Sequence, residues 1–357
     1  MSESSLKKIH LRLALAVTFL VLLHPAATAQ NGDTAKSSAS PLRVRQAVEQ
    51  ARSATLNEND FARGVALGTS LLRESRFAEA ADLFSALAEK KPRDPMVLYG
   101  AALATFNTGR PIEAEPLARR AVEAALTTKT SDPHGRSSNQ RAADALVLLA
   151  VVLAVTHNDA GALSAAERAV SLAPDSFDAQ LVLGRAWFGM GDDLAAIKSF
   201  RAAIVLRPGD GQTLFYLATA LEHGGDTQAA LKIYRDLVAL RPEVAEGHLG
   251  LGVLLLKRGG ADTDEGMEEL ERAVAIDASL YEAHVTLGRI LVARGRAAEA
   301  IEHLQRAAKL APANPEPHYQ LSLAYQRLGR KDEASAESAI VKRIHDTRRG
   351  VASGGPN

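Results

Sequence analysis

The chain has 357 residues, no cysteine, and 42 basic residues against 42 acidic ones. Without cysteine there is no disulfide, thiolate nucleophile, cysteine-ligated zinc or lipidated cysteine, and a net charge of zero gives no drive toward nucleic acid or anionic lipid. Aromatic residues are only 4% of the total while alanine is abundant, which suits closely packed helices better than a β-sandwich.

The first 29 residues have the layout of a secretory leader. Lys7, Lys8 and Arg12 precede an apolar run over 13–23, and Ala27-Thr28-Ala29 supplies a small-residue cleavage pattern. The run is shorter than the ~20 apolar residues of a spanning helix. The expectation is cleavage after Ala29 and a periplasmic or secreted bacterial product with no stable membrane span. Loss of the leader leaves a slight acidic excess. Residues 30–40 are small and polar, the composition of a flexible linker. Ser40-Pro41 then looks like a helix cap with a first-turn proline, and Val44, Ala47, Val48 and Ala51 set a lead helix over 41–56 at helical spacing.

From residue 61 a pattern with a period near 34 residues takes over. It is clearest over 177–208, with Phe177 as position 1. Leu183, Gly184 and Trp187 fall at positions 7, 8 and 11, and Gly191 breaks the apolar periodicity at position 15. Ala196, Phe200 and Ala203 follow at 20, 24 and 27, and Pro208 closes the unit at 32. Two short amphipathic helices joined by a tight turn account for this spacing. The same register fits 61–94, 95–128, 143–176, 177–210, 211–244, 245–280, 281–314 and 315–348, with 245–280 longer by two residues. Residues 129–142 are a polar insertion, either a functional loop or, on the simpler reading, a tolerated excursion at the edge of the array. Residues 350–357 are expected to be a disordered tail.

This pattern resembles the tetratricopeptide repeat (TPR) family. The resemblance implies an all-α, right-handed α-solenoid of about eight helix-turn-helix repeats. Neither helix pair buries its apolar faces alone, so small residues at positions 8, 20 and 27 are expected to pack against bulky ones at 7, 11 and 24 of stacked neighbours. Trp187, at position 11, is assigned to the core. In the last repeat Ser338 stands at position 24, a polar substitution expected at an open end of a stack.

The family lines a concave groove with positions 5, 9 and 12 of each first helix. Carried onto this sequence, the groove residues include Tyr99, Phe106, Leu181, Arg185, Phe188, Phe215, Leu249, Val253, Arg289 and Tyr319. That set is mostly apolar with isolated charges, the composition of a surface that binds a protein or peptide segment. No repeat has Lys at position 5 or Asn at position 9, so the family's clamp for a partner's C-terminal carboxylate is not expected.

The chemistry-bearing candidates have simpler readings. His248, His284 and His318 share position 4 of successive repeats, but first helices one repeat apart sit ~10 Å from each other, too far for imidazoles ~2 Å from one metal. They are expected to be structural. Asp262, Asp264 and Glu265 fail the calcium-loop pattern, since Gly266 stands where a ligand belongs; Asp262 with Glu265 fits a helix cap and its capping-box partner instead. Gly250-Leu251-Gly252 lies mid-helix with no preceding strand and is not a nucleotide loop. No hydrolase, metalloprotease or phosphate-loop signature occurs.

The expected function is therefore a non-enzymatic protein-interaction scaffold in an envelope or secreted complex, without catalytic residues, metal or cofactor. The alternatives are self-association, giving a homo-oligomer, or an accessory role beside an envelope enzyme such as a glycosyltransferase or a polysaccharide export system.

Overall fold

Seventeen α-helices and no strand make up the described residues, 40–53, 55–128, 135–259 and 262–353, of the computed structural model. The expected leader, most of the linker, residues 129–134 of the insertion and residues 354–357 lie outside the described residues. The helices fall into two compact units that meet in sequence at Pro208–Gly209.

The first unit begins with α1 (Pro41–Arg52), capped by the Ser40 side chain. It ends short of the expected 56, because Ser53 and Thr55 bond each other in a turn and Asn57 already caps the next helix. Hairpins follow as α2 (Glu58–Arg73) with α3 (Phe77–Lys90), and α4 (Pro95–Asn107) with α5 (Pro111–Thr127). The pairs α6 (Ser138–Val155) with α7 (Asp159–Leu172), and α8 (Phe177–Met190) with α9 (Asp193–Leu206), complete the unit.

The second unit holds α10 (Gly211–His223) with α11 (Thr227–Leu240), and α12 (Ala245–Arg258) with α13 (Asp262–Ile276). Two further pairs close it, α14 (Tyr281–Ala293) with α15 (Ala297–Leu310), and α16 (Pro315–Arg327) with α17 (Lys331–Ser353). The last helix overruns the repeat and enters the stretch expected to be a tail. Its sequence is rich in helix-favouring Ala, Glu, Lys and Arg, and no proline interrupts it.

One turn recurs through both units. All eight residues at position 15 have positive φ, from 58° at Ser75 to 85° at Gly225. Six are glycines, which adopt this conformation at no steric cost; Ser75 and His157 carry it with a side chain. In seven repeats the next amide bonds back to the carbonyl at position 11, as Asp192 N does to Trp187 O at 3.0 Å. This is the Schellman closure of a helix C-terminus. In the repeat lengthened by two residues Gly259 takes a different ψ, −166°.

The second sequence signal, small residues at position 8, has a direct cause. A Cβ on Gly184 would come within 2.6 Å of the Phe200 ring. Phe84 is held from two sides, since a Cβ on Gly68 or on Gly100 of the next hairpin would lie 2.7 or 2.6 Å from its ring tip. Aromatic side chains at position 24 thus fill the space that glycine vacates. Trp187 is only half-buried, whereas Leu71, Leu153, Leu255 and Leu291 at the same position are buried.

The polar insertion is shorter than the spacing indicates. Ser137 and Gln140 form a reciprocal capping box, so α6 starts at Ser138 and absorbs residues assigned to the insertion. This helix is long and apolar enough to cross a membrane by composition alone, but two thirds of it is buried within the first unit.

Candidate functional site

In each unit the first helices of successive hairpins touch one another: α2, α4, α6 and α8 in the first, and α10, α12, α14 and α16 in the second. Positions 5, 9 and 12 therefore share a face in each unit, but the two faces differ in how much they leave open.

In the first unit the face is largely consumed by packing. Phe106 and Leu181, expected in the groove, are 8% and 4% exposed, and Leu103, Val147 and Val151 are buried beside them. The reason is the density of apolar residues on α6, which buries side chains nearly all round and draws its neighbours into one cluster. Tyr99, Arg185 and Phe188 remain half-buried. Burial, and secondarily the nearby Asp144 and Asp178, pushes the Tyr99 phenol pKa above its ordinary value. Asp144 is itself paired with Arg136 at 2.9 Å.

The second unit leaves more of the face available. Phe215, Leu249, Val253, Val285, Leu256 and Leu323 are half-buried, Arg289 is exposed, and Tyr319 keeps 52% of its surface open. Leu249, Val253 and Leu256 rest on the buried cluster around Leu270 and Leu287, so their inner atoms are fixed while their outer atoms face solvent. Thr219 does not join them. It is buried, donating to the Phe215 carbonyl at 2.9 Å and lying 3.1 Å from the Tyr234 hydroxyl. Glu222 is taken up by an ion pair with Lys257, which links α10 to α12.

The acidic loop is also accounted for. Asp262 is the first residue of α13, and both oxygens of Glu265 receive Arg235, at 3.0 and 3.1 Å. Asp264 pairs with Arg294. Among the described residues there is no group of three or more metal-ligating side chains.

The position-4 histidines reach across their own hairpins. His248 Nδ1 lies 2.5 Å from Glu269 and its Nε2 3.0 Å from the Pro242 carbonyl. Glu269 also accepts from Arg272. His318 Nδ1 lies 2.6 Å from Glu337, and His284 Nδ1 lies 3.1 Å from His303 Nδ1. The sequence marks these histidines as structural but does not point to their partners. Those partners stand at one common register, position 23 once the two extra residues of the long repeat are discounted.

A family model described as tetratricopeptide repeat matches residues 65–126, 160–211 and 215–280, and a TPR repeat model matches 288–329. Together they span more than half of the sequence. The chain belongs to the tetratricopeptide repeat family. Two solved structures share the fold. A tetratricopeptide repeat protein from Parabacteroides merdae is 15% identical over 74% of this chain and 98% of its own, with a TM-score of 0.54. A Pseudomonas aeruginosa pilF structure is 16% identical over 59% of this chain and 95% of its own, with a TM-score of 0.53. No curated protein matches the sequence. The TPR repeats support a role as a protein–protein interaction scaffold.

Proposed function

We propose that this TPR protein is an exported, non-enzymatic scaffold that holds a protein or peptide segment against the first-helix face of its second unit. The observation that carries this is the half-buried row Phe215, Leu249, Val253, Val285 and Leu323, in which Leu249, Val253 and Leu323 rest on buried clusters, with Tyr319 and Arg289 open beside it. Burying such a row under a partner gains about 25 cal/mol per Å² of apolar area, and Arg289 supplies a charge to orient an acidic group. Tyr99, Arg185 and Phe188 form a smaller candidate patch in the first unit. The leader pattern at 1–29 supports placement in a bacterial envelope or outside the cell.

A photo-crosslinking residue at Tyr319, in the full chain expressed in its host, tests the reading. The expected result is one recurrent protein adduct that disappears when Arg289→Glu and Val285→Glu are introduced in a chain whose circular dichroism is unchanged. An adduct that persists in this folded variant would sink the face as the binding site. Adducts between two copies of the chain would favour self-association, and an adduct with an envelope enzyme would favour the accessory role.

A further inference from the structure

The three histidine rungs share one geometry, and the middle one differs in its chemistry. In each, a position-4 imidazole on the first helix meets position 23 on the second. The partners are Glu269, His303 and Glu337 in turn. In the first two rungs Nε2 of the position-4 ring also faces a backbone carbonyl six residues upstream, Pro242 at 3.0 Å and Ala278 at 3.3 Å. A proton added to the outer rungs is received beside a carboxylate. A proton added to the middle rung is received beside a second imidazole.

The middle pair is a hydrogen bond and not a chelate. Its ring centroids are 5.4 Å apart while its Nδ1 atoms are 3.1 Å apart, so the two nitrogens point at one another along the line joining the rings. Two lone pairs converging on a metal ~2 Å away would bring the rings closer. With Nε2–H of His284 directed at the Ala278 carbonyl, its Nδ1 is the acceptor and His303 supplies the Nδ1–H.

We propose that His284 and His303 form an acid-operated latch in the α14–α15 hairpin, closed at neutral pH by the single proton between them and opened when both rings are protonated. A first added proton goes to Nε2 of His303, the more open ring, and leaves the bridge intact. The second must occupy Nδ1 of His284, which removes the acceptor and sets two cations about 3 Å apart. Arg306 adds a third positive charge, because its Nε donates to the same Ala278 carbonyl at 3.0 Å. The other charged groups facing the pair are Glu302, on the same helix as His303, and Glu271 on α13. These attract protons to His303 and offset the repulsion in part.

Burial holds both rings below the ordinary histidine value, and for His284 the neighbouring His303 lowers it further. The open hairpin therefore binds protons at a higher pH than the closed one. Closure is favoured above the ordinary value, ~6.5, and loses stability as the pH falls through it toward the lowered values. The outer rungs present a carboxylate where the middle rung presents an imidazole, so the opening is confined to the middle hairpin. The latch is independent of what the neighbouring face binds.

Hydrogen exchange of the full chain, followed by mass spectrometry at pH 7.5 and 5.0 and corrected for intrinsic rates, reads this directly. Segments within 281–310 are expected to lose protection by about tenfold or more at pH 5.0, while those in 245–276 and 315–327 change little. His303→Glu recreates the outer rung and is expected to remove the acid response. If that variant is misfolded by circular dichroism, His303→Gln serves instead, since its amide still donates but does not titrate. Unchanged protection of 281–310 in the parent chain, or an acid response of parental size in the folded variant, would overturn the latch.

Discussion

The two units close the same repeat by different means. In the first, hairpins are held by apolar volume: α6 is buried nearly all round, Phe84 fills the space above two glycines, and Leu103, Phe106, Val147, Val151 and Leu181 vanish into the stack. In the second, three successive hairpins add a polar rung at positions 4 and 23, and cross-repeat pairs join Lys257 to Glu222 and Arg235 to Glu265. The comparison shows what each solution costs. Packing that recruits positions 5, 9 and 12 uses up the surface the repeat otherwise offers to a partner. Fastening three hairpins at their edges leaves more of that surface open.

The largest expected effect tests the first half of this contrast. Leu181→Glu places a charge at a site 4% exposed and should cost on the order of 4 kcal/mol or unfold the first unit. Val253→Glu, half-buried in the second unit, should cost about 1 kcal/mol, and urea denaturation of the two variants compares them. Similar losses at both sites would erase the distinction between the faces.

Next in size is the polar fastening. Glu269→Ala strips a buried histidine of its acceptor and Arg272 of one of its two carboxylate partners, and is expected to cost about 3 kcal/mol, read as a lowered urea midpoint. A change below ~0.5 kcal/mol would mean the rung contributes nothing that packing does not.

A smaller effect of opposite sign is expected at the shared turn. His157→Gly relieves a side chain held at φ 63° and should stabilise the first unit by roughly 0.5–1 kcal/mol, seen as a raised melting temperature. The same change at Ser75, with φ 58°, should behave alike. Smallest of all, Lys257→Ala removes an ion pair whose lysine is 59% exposed, and should shift stability by no more than about 0.5 kcal/mol.

Much of this architecture was legible because its causes are local. Gly191, Gly225, Gly295 and Gly329 mark a turn that needs positive φ, and Gly184 marks a place where a Cβ has no room. Both constraints act on residue identity at a fixed spacing, which is what a sequence displays. The openness of the candidate face was not legible. Position 12 is buried at Phe106 and half-buried at Phe188, although the residue is the same. The difference lies in the neighbouring helices, and above all in α6. The rungs were half legible: three histidines at one register announced a shared role, while Glu269, His303 and Glu337 look like ordinary exposed helix residues until the hairpins close. The start of α6 was recoverable in principle, since Ser137 followed by Gln140 is a capping signal overlooked inside a polar run.

The ring of Phe84 carries a consequence for how such a chain can be rearranged. It rests on the glycine at position 8 of its own repeat and on Gly100 at position 6 of the next, and Tyr234 meets Gly250 at that same later position. Where position 24 is Leu270 or Leu304, the following position 6 holds Thr286 or Gln320; where it is Ala118 or Ala166, it holds Leu148 or Val182. Within each unit the aromatic rings are followed by glycine, the leucines by a polar residue, and the alanines by Leu or Val. The repeats are thus alike in backbone but not freely interchangeable: moving the hairpin that carries Phe84 in front of the one that carries Leu148 would set a ring against a leucine where glycine makes room at present.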